Sequence, residues 1–123
     1  MFKREQRLTD KRLFATLFRR GTWVRGRIMS FILMSTPHRG KIGFVITKKV
    51  AKSAVVRNRT KRRIRATFID MLKLPEYKEF LLDTTVAVMI HRTIDELSYE
   101  QLKSETVHLF EKLKKADPKS KLS

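Results

Sequence analysis

Cysteine is absent from the 123 residues. That excludes disulfides, thiolate zinc sites and cysteine nucleophiles, and it fits a reducing cytosol. No run of about 18 apolar residues occurs, so no membrane span is expected. The first residues, MFKREQRL, contain no apolar signal-peptide core, and nothing there suggests secretion; a cytoplasmic protein is expected. Catalytic constellations are missing too: there is no Ser-His-Asp set, Gly-rich phosphate loop or convergent carboxylate cluster. His38, His91 and His108 share no metal-ligand spacing and read as surface or strand-end residues. Asp95-Glu96 reads as cap chemistry before a helix. The protein alone is therefore expected to cleave nothing. No internal repeat or low-complexity block is found.

Acidic residues are scarce in one half only. Residues 1–65 contain two acids, Glu5 and Asp10, against twenty Lys/Arg, a net charge of +18. Residues 66–123 carry nine Lys/Arg and ten acids, a net of −1. A hydrophobic content of 41% is too high for a disordered basic tail. A chain of this length buries roughly two-thirds of its unfolded surface, enough for one core. The segregated positive charge asks for a polyanionic partner: nucleic acid first, an anionic membrane second. General solubility would not require the segregation.

Hydrophobic periodicity predicts a single α+β domain, an α/β sandwich ordered helix, strands, helix, strand, helix, with three main helices. Residues 1–8 read as a basic extended arm, 9–115 as the domain and 116–123 as a flexible tail. Thr9 or Asp10 can cap a first helix carrying Leu13, Phe14, Leu17 and Phe18, which Gly21 ends as a C′ residue after Arg19 and Arg20. Residues 22–27 form a short edge strand or a loop. Residues 28–36 and 41–48 read as strands joined through Pro37-His38-Arg39-Gly40, a hairpin. Alternation puts Ile42, Phe44 and Ile46 on one face and Gly43, Val45 and Thr47 on the other, the second face being low and open. A helical pattern from about Ala54 to Leu74 carries an apolar stripe of Ile64, Phe68, Met71 and Leu72, and Pro75 stops it. Residues 84–91 are a further strand. Ser98 with Gln101 is a capping box for a last helix bearing Leu102, Leu109, Phe110 and Leu113.

The densest feature is the stretch 48–65, with nine cations and no acid; six of them fall between Arg57 and Arg65. Cations in the first turns of a helix oppose its dipole, so this placement costs local stability. Phosphates would offset that cost, because they sit well at helix N-termini and pair with Arg forks. Arg57, Lys61 and Arg65 are spaced on one ridge, and Asn58 and Arg62 on the next. The bland alternative is a solvated helical face. A second surface lies on the sheet beside the first helix. There Phe14 and Phe18 can stack on bases, Val45 and Thr47 form a low floor, and Arg57 and Lys48 are at hand for phosphates. Single strands are commonly held on flat apolar platforms inside basic grooves. The same two phenylalanines suit a buried helix stripe equally well. Trp23 suits either the sheet edge or an RNA base.

The block Ala54-Val55-Val56-Arg57-Asn58-Arg59-Thr60-Lys61-Arg62-Arg63-Ile64-Arg65 resembles the Arg-Asn-Arg motif of the bacterial ribonuclease P protein subunit. Phe14, Phe18, Gly21, Arg27 and Gly43-Phe44-Val45-Ile46-Thr47-Lys48-Lys49 upstream extend the resemblance, as do Leu97-Ser98-Tyr99 and Leu109-Phe110 downstream, over roughly residues 4–113. It implies a small cofactor protein of a ribonucleoprotein endonuclease that removes 5′ leaders from precursor tRNA. It further implies catalysis by the RNA subunit and its Mg2+ ions, a protein paired 1:1 with that RNA, and a mixed central sheet with a left-handed crossover between parallel strands, against the usual rule. By this resemblance Lys48, Lys49, Lys52, Arg57, Asn58, Arg59, Lys61, Arg62 and Arg65 bind RNA. Phe14, Phe18, Ile32, Val45, Thr47 and Arg57 line a leader-binding cleft. The chain departs from the family pattern at Ala51-Lys52-Ser53, which lacks a glycine, and at Ile32, where an aromatic is common. Rival classes are a structural RNA-binding protein, such as a ribosomal protein, and a nonspecific DNA binder.

Overall fold

The computed structural model describes residues 7, 8, 10–36, 40–93 and 97–115. Among these residues lie four helices and four strands. Helix α1 (Lys11–Arg20) is capped by Asp10, whose carboxylate accepts from the Arg12 N–H at 2.9 Å. Strands β1 (Thr22–Val24), β2 (Met29–Ser35) and β3 (Ile42–Ile46) follow, then α2 (Ala54–Met71), α3 (Pro75–Leu82), β4 (Thr84–Ile90) and α4 (Tyr99–Lys115). The strands form one sheet in the order β1-β2-β4-β3. β4 is antiparallel to β2 and parallel to β3, so the sheet is mixed.

This order corrects the expected hairpin. The strands at 28–36 and 41–48 exist but do not pair, because β4 lies between them. β4 carries buried side chains on both faces, with Val86, Val88 and Ile90 on one and Thr85 and Ala87 on the other. A strand buried on both faces belongs in the middle of a sheet, not at its edge. Residues 37–39 of the proposed turn lie outside the described residues, as do Thr9, most of the basic arm, Asp95-Glu96 and the tail. Of the arm, Arg7 forms a parallel bridge to Ile42, and the Leu8 N–H donates to the Ile42 carbonyl at 2.9 Å. Leu8 is buried, so the end of the arm belongs to the fold.

Helix α3 was not expected. Pro75 does stop the preceding helix, which ends at Met71, but it also occupies the first turn of a new one. Proline suits that position because its missing N–H would have no intrahelical partner there.

Two apolar layers flank the sheet. The larger holds Phe31, Phe68 and Phe110 with ring centroids 5.3–5.4 Å apart, joined by Phe44 and Tyr77. Ile64, Phe68 and Met71 of α2 and Leu102, Leu109 and Phe110 of α4 reach this layer, as their spacing predicts. The Ser98–Gln101 capping box forms: the Ser98 N–H donates to Gln101 Oε1 at 2.8 Å, and the Gln101 N–H donates to Ser98 Oγ at 3.2 Å. Between α2 and α4, the Tyr99 hydroxyl donates to the Asp70 carboxylate. That bond holds the Asp70 carboxyl below, and the Tyr99 phenol above, their ordinary values.

A carboxylate fixes the turn between β1 and β2. Glu105 of α4 accepts from the Arg27, Ile28 and Met29 N–H groups at 3.0, 2.8 and 3.1 Å. Removing it strands three donors, two of them part-buried. Glu105→Ala is therefore expected to lower stability by about 1–3 kcal/mol, read as a shifted denaturant midpoint. An unchanged midpoint would show that water replaces the carboxylate at no cost.

Candidate nucleic-acid interface

Helix α1 covers the face of the sheet opposite the phenylalanine core. One cross-strand row runs Trp23–Ile32–Ala87–Gly43, through all four strands. α1 crosses this row, with Phe14 over Gly43 at one end and Gly21 against Ile32 at the other. A Cβ on Gly43 would stand 2.9 Å from both Leu8 Cβ and Phe14 Cζ, so glycine is what lets α1 sit this low. Gly21 ends α1 for a similar reason. Its φ of −69° is open to any residue, unlike that of the expected left-handed C′ cap, but a Cβ would meet the Leu17 carbonyl oxygen at 2.5 Å.

This settles the two phenylalanines. Leu17 is buried against Ile32 and Ala87, while Phe14 is half-buried and Phe18 is 37% exposed. Phe14 and Phe18 stack at 6.3 Å, and Phe18 lies 6.3 Å from Trp23, giving one aromatic row along α1. Two positions further along the same face, Ser30, Met89 and Val45 form the next cross-strand row. Met89 and Val45 are half-buried and Thr47 is exposed, so this row is the floor beside α1. Ile32 is a correction: it is fully buried beneath α1 and lines no open surface. Met89 takes a floor position that sequence reasoning missed, because only the β3–β4 register sets it beside Val45.

The basic segment lies on the other side. α2 begins with Ser53 as N-cap, and its first turn contains no acid. The ridge Arg57-Lys61-Arg65 is half-buried. Arg57 Nη1 donates to the Ala51 and Lys52 carbonyls, both at 2.8 Å, and so holds the loop that lacks a glycine. Arg65 lies 5.4 Å over the Phe44 ring. The exposed face of α2 is instead Val55, Asn58, Arg59, Arg62, Arg63 and Ala66, with Lys48, Lys49 and Lys52 exposed just before it. The two ridges thus differ: Arg57 and Arg65 are engaged by the fold, while Asn58 and Arg62 face solvent. Arg63 belongs with the exposed group, although spacing alone did not single it out.

A basic surface and an aromatic surface on opposite faces of one sheet are the features of a nucleic-acid-binding α+β protein. Among the described residues no group of three or more His, Asp or Glu side chains is placed to hold a metal ion, and no helix is long and apolar enough to cross a membrane. The ribonuclease P family model matches residues 2–114. The chain is 31% identical over 112 residues to the ribonuclease P protein component of Bacillus velezensis, covering 89% of this chain and 90% of that protein. It is 30% identical over 106 residues to that of Finegoldia magna, covering 86% and 88%. In fold it is similar to a mutant RNase P protein of Staphylococcus aureus, with a TM-score of 0.70, 22% identity and 90% and 87% of the two chains covered. The RNase P protein of Thermotoga maritima gives a TM-score of 0.67 at 18% identity, covering 84% and 93%. The chain belongs to the ribonuclease P family, as the protein component of that endoribonuclease. Its partner in the ribonucleoprotein is RNA.

Proposed function

We propose that the two surfaces divide the work of one subunit. The exposed face of α2, Asn58, Arg59, Arg62 and Arg63, docks on the catalytic RNA. The α1 side of the sheet, Phe14 and Phe18 beside Val45, Met89 and Thr47, holds the single-stranded 5′ leader of precursor tRNA. Lys48, Lys49 and Lys52, at the end of β3, sit where either RNA can be reached. Arg57 acts chiefly by fixing the loop that presents them. The observation that carries this reading is the placement of α1 and α2 on opposite faces of the sheet, so that both RNAs can be bound at once.

In this reading residues 9–115 are one RNA-binding domain, paired 1:1 with the catalytic RNA in the cytoplasm. The Mg2+ ions belong to that RNA, which supplies the Lewis-acid chemistry and the catalytic centre. The protein contributes positive charge and platforms, and it cleaves nothing alone. Reconstitution tests this directly. At low Mg2+, adding the protein to a bacterial ribonuclease P RNA should raise cleavage of precursor tRNA. Unchanged cleavage would overturn the reading, and so would nuclease activity of the protein alone that survives purification.

The platforms have separate expected costs. Phe18→Ala removes an exposed ring and should reduce preference for leader-bearing over leaderless substrate by about 1–3 kcal/mol, with little loss of stability. Phe14→Ala should lose both preference and stability, because the Phe14 ring also packs over Gly43. Comparing Kd for the two substrates with the unfolding midpoint separates the roles; equal loss for both substrates would exclude stacking.

A further inference from the structure

We propose that the leader track does not end at the phenylalanines but continues to the β1 edge, where Trp23 and Arg25 form a further subsite for a base and phosphate of single-stranded RNA. The proposal rests on the leader-binding reading of the α1 face and extends it to residues at the far edge of the sheet. Three observations carry it. The aromatic row is continuous: Phe18 stands 6.3 Å from Phe14 on one side and 6.3 Å from Trp23 on the other. The Arg25 guanidinium lies 4.8 Å over the Trp23 ring, and Arg25 is exposed. A guanidinium placed over an indole extends the surface on which a base can pack, while its N–H groups remain available to a phosphate.

The third observation is rigidity. The segment after β1 is anchored by Glu105 through the Arg27, Ile28 and Met29 N–H groups, so Arg25 sits on a tethered turn. Arg19, Arg20 and Arg27 are exposed around the same edge, which suits a polyanion. Trp23 is paired across the strands with the buried Ile32. The aromatic surface at this level of the sheet is therefore supplied from β1, while Ile32 fills the space beneath α1. The α1 rings and the Trp23–Arg25 pair would then meet different nucleotides of one leader.

Trp23 is the only tryptophan in the chain, so it reports on its own subsite. The experiment uses the ribonucleoprotein reconstituted with a bacterial ribonuclease P RNA and precursor tRNAs whose leaders are lengthened one nucleotide at a time. In the wild type, affinity should rise with leader length, and Trp23 emission should change only once the leader reaches the subsite. Trp23→Ala and Arg25→Ala should each remove about tenfold of affinity from long-leader substrates and nothing from the shortest ones. Trp23→Phe should restore part of the loss, and Arg25→Lys less, because ammonium does not stack as a plane. Thermal unfolding of each variant identifies loss through misfolding, and Arg25→Ala, at an exposed side chain, keeps the test available if Trp23→Ala fails to fold. If affinity rises with leader length but both variants follow the wild-type curve, the subsite is wrong and the leader reading stands. If wild-type affinity does not depend on leader length at all, the leader reading itself fails.

Discussion

Replacing Arg62 and Arg63 together with alanine is expected to weaken association with the catalytic RNA by about 100-fold, roughly 3 kcal/mol for two charge-assisted contacts. It should also reduce the slope of log K against log salt by about two, because each lost phosphate contact returns about one counterion. Both side chains are exposed on the solvent-facing side of α2, so stability should hold. Arg65→Ala is the informative contrast. Its guanidinium is engaged over Phe44, and its loss should alter packing near β3 more than the salt slope. Filter-binding or anisotropy titrations across a salt series decide the matter. A slope unchanged in the double variant would exclude phosphate contacts on this face and return the segment to a merely solvated helix.

Leu17→Ala is expected to cost about 2–5 kcal/mol of stability, because it leaves a cavity that the sheet cannot collapse to fill. Leu17 is the one fully buried side chain of α1, held against Ile32 and Ala87. Domains of ordinary stability have about 5–15 kcal/mol in all, so the loss is a large fraction of the total. It should also be selective. α1 carries Phe14 and Phe18, so loosening it should erode discrimination for leader-bearing substrate more than affinity for the catalytic RNA, whose proposed contact is α2 on the other face. Leu17→Met, close in volume, should restore most of both. Denaturant unfolding alongside substrate-binding titrations checks this, and equal loss of both RNA affinities would mean that the two faces are not independent.

Local chemistry made much of this protein legible from its residues. The Asp10 cap, the Ser98–Gln101 box, the alternation of Ile42, Phe44 and Ile46 and the buried stripe Ile64-Phe68-Met71 all stand where spacing places them. Each depends on residues within a few positions of one another, where geometry follows from φ, ψ and side-chain reach. The scarcity of acids in the first 65 residues likewise marked the half from which both proposed surfaces draw their cations. What local chemistry could not supply was pairing and orientation. A Pro-His-Arg-Gly segment between two strands suggests a hairpin, yet β4 enters between them from some forty residues away. Its burial on both faces is worth more than a tight turn.

The same limit governs the site. Sequence spacing placed the Arg57-Lys61-Arg65 and Asn58-Arg62 ridges on adjacent lines of one helix, and that helix forms. Which ridge meets solvent depends on where α2 lies against β3 and on carbonyls in the preceding loop, which claim Arg57. Phe14, Phe18 and Trp23 are scattered residues in one dimension. They become a row only because Gly43 lets α1 lie low across the sheet and because β1 pairs with β2 in the register that sets Trp23 opposite Ile32. Composition and short-range pattern thus determine which segments carry the charge, and they point to a polyanionic partner. Long-range packing determines which side chains remain free to touch it, because burial is a property of the assembled layers and not of any one segment.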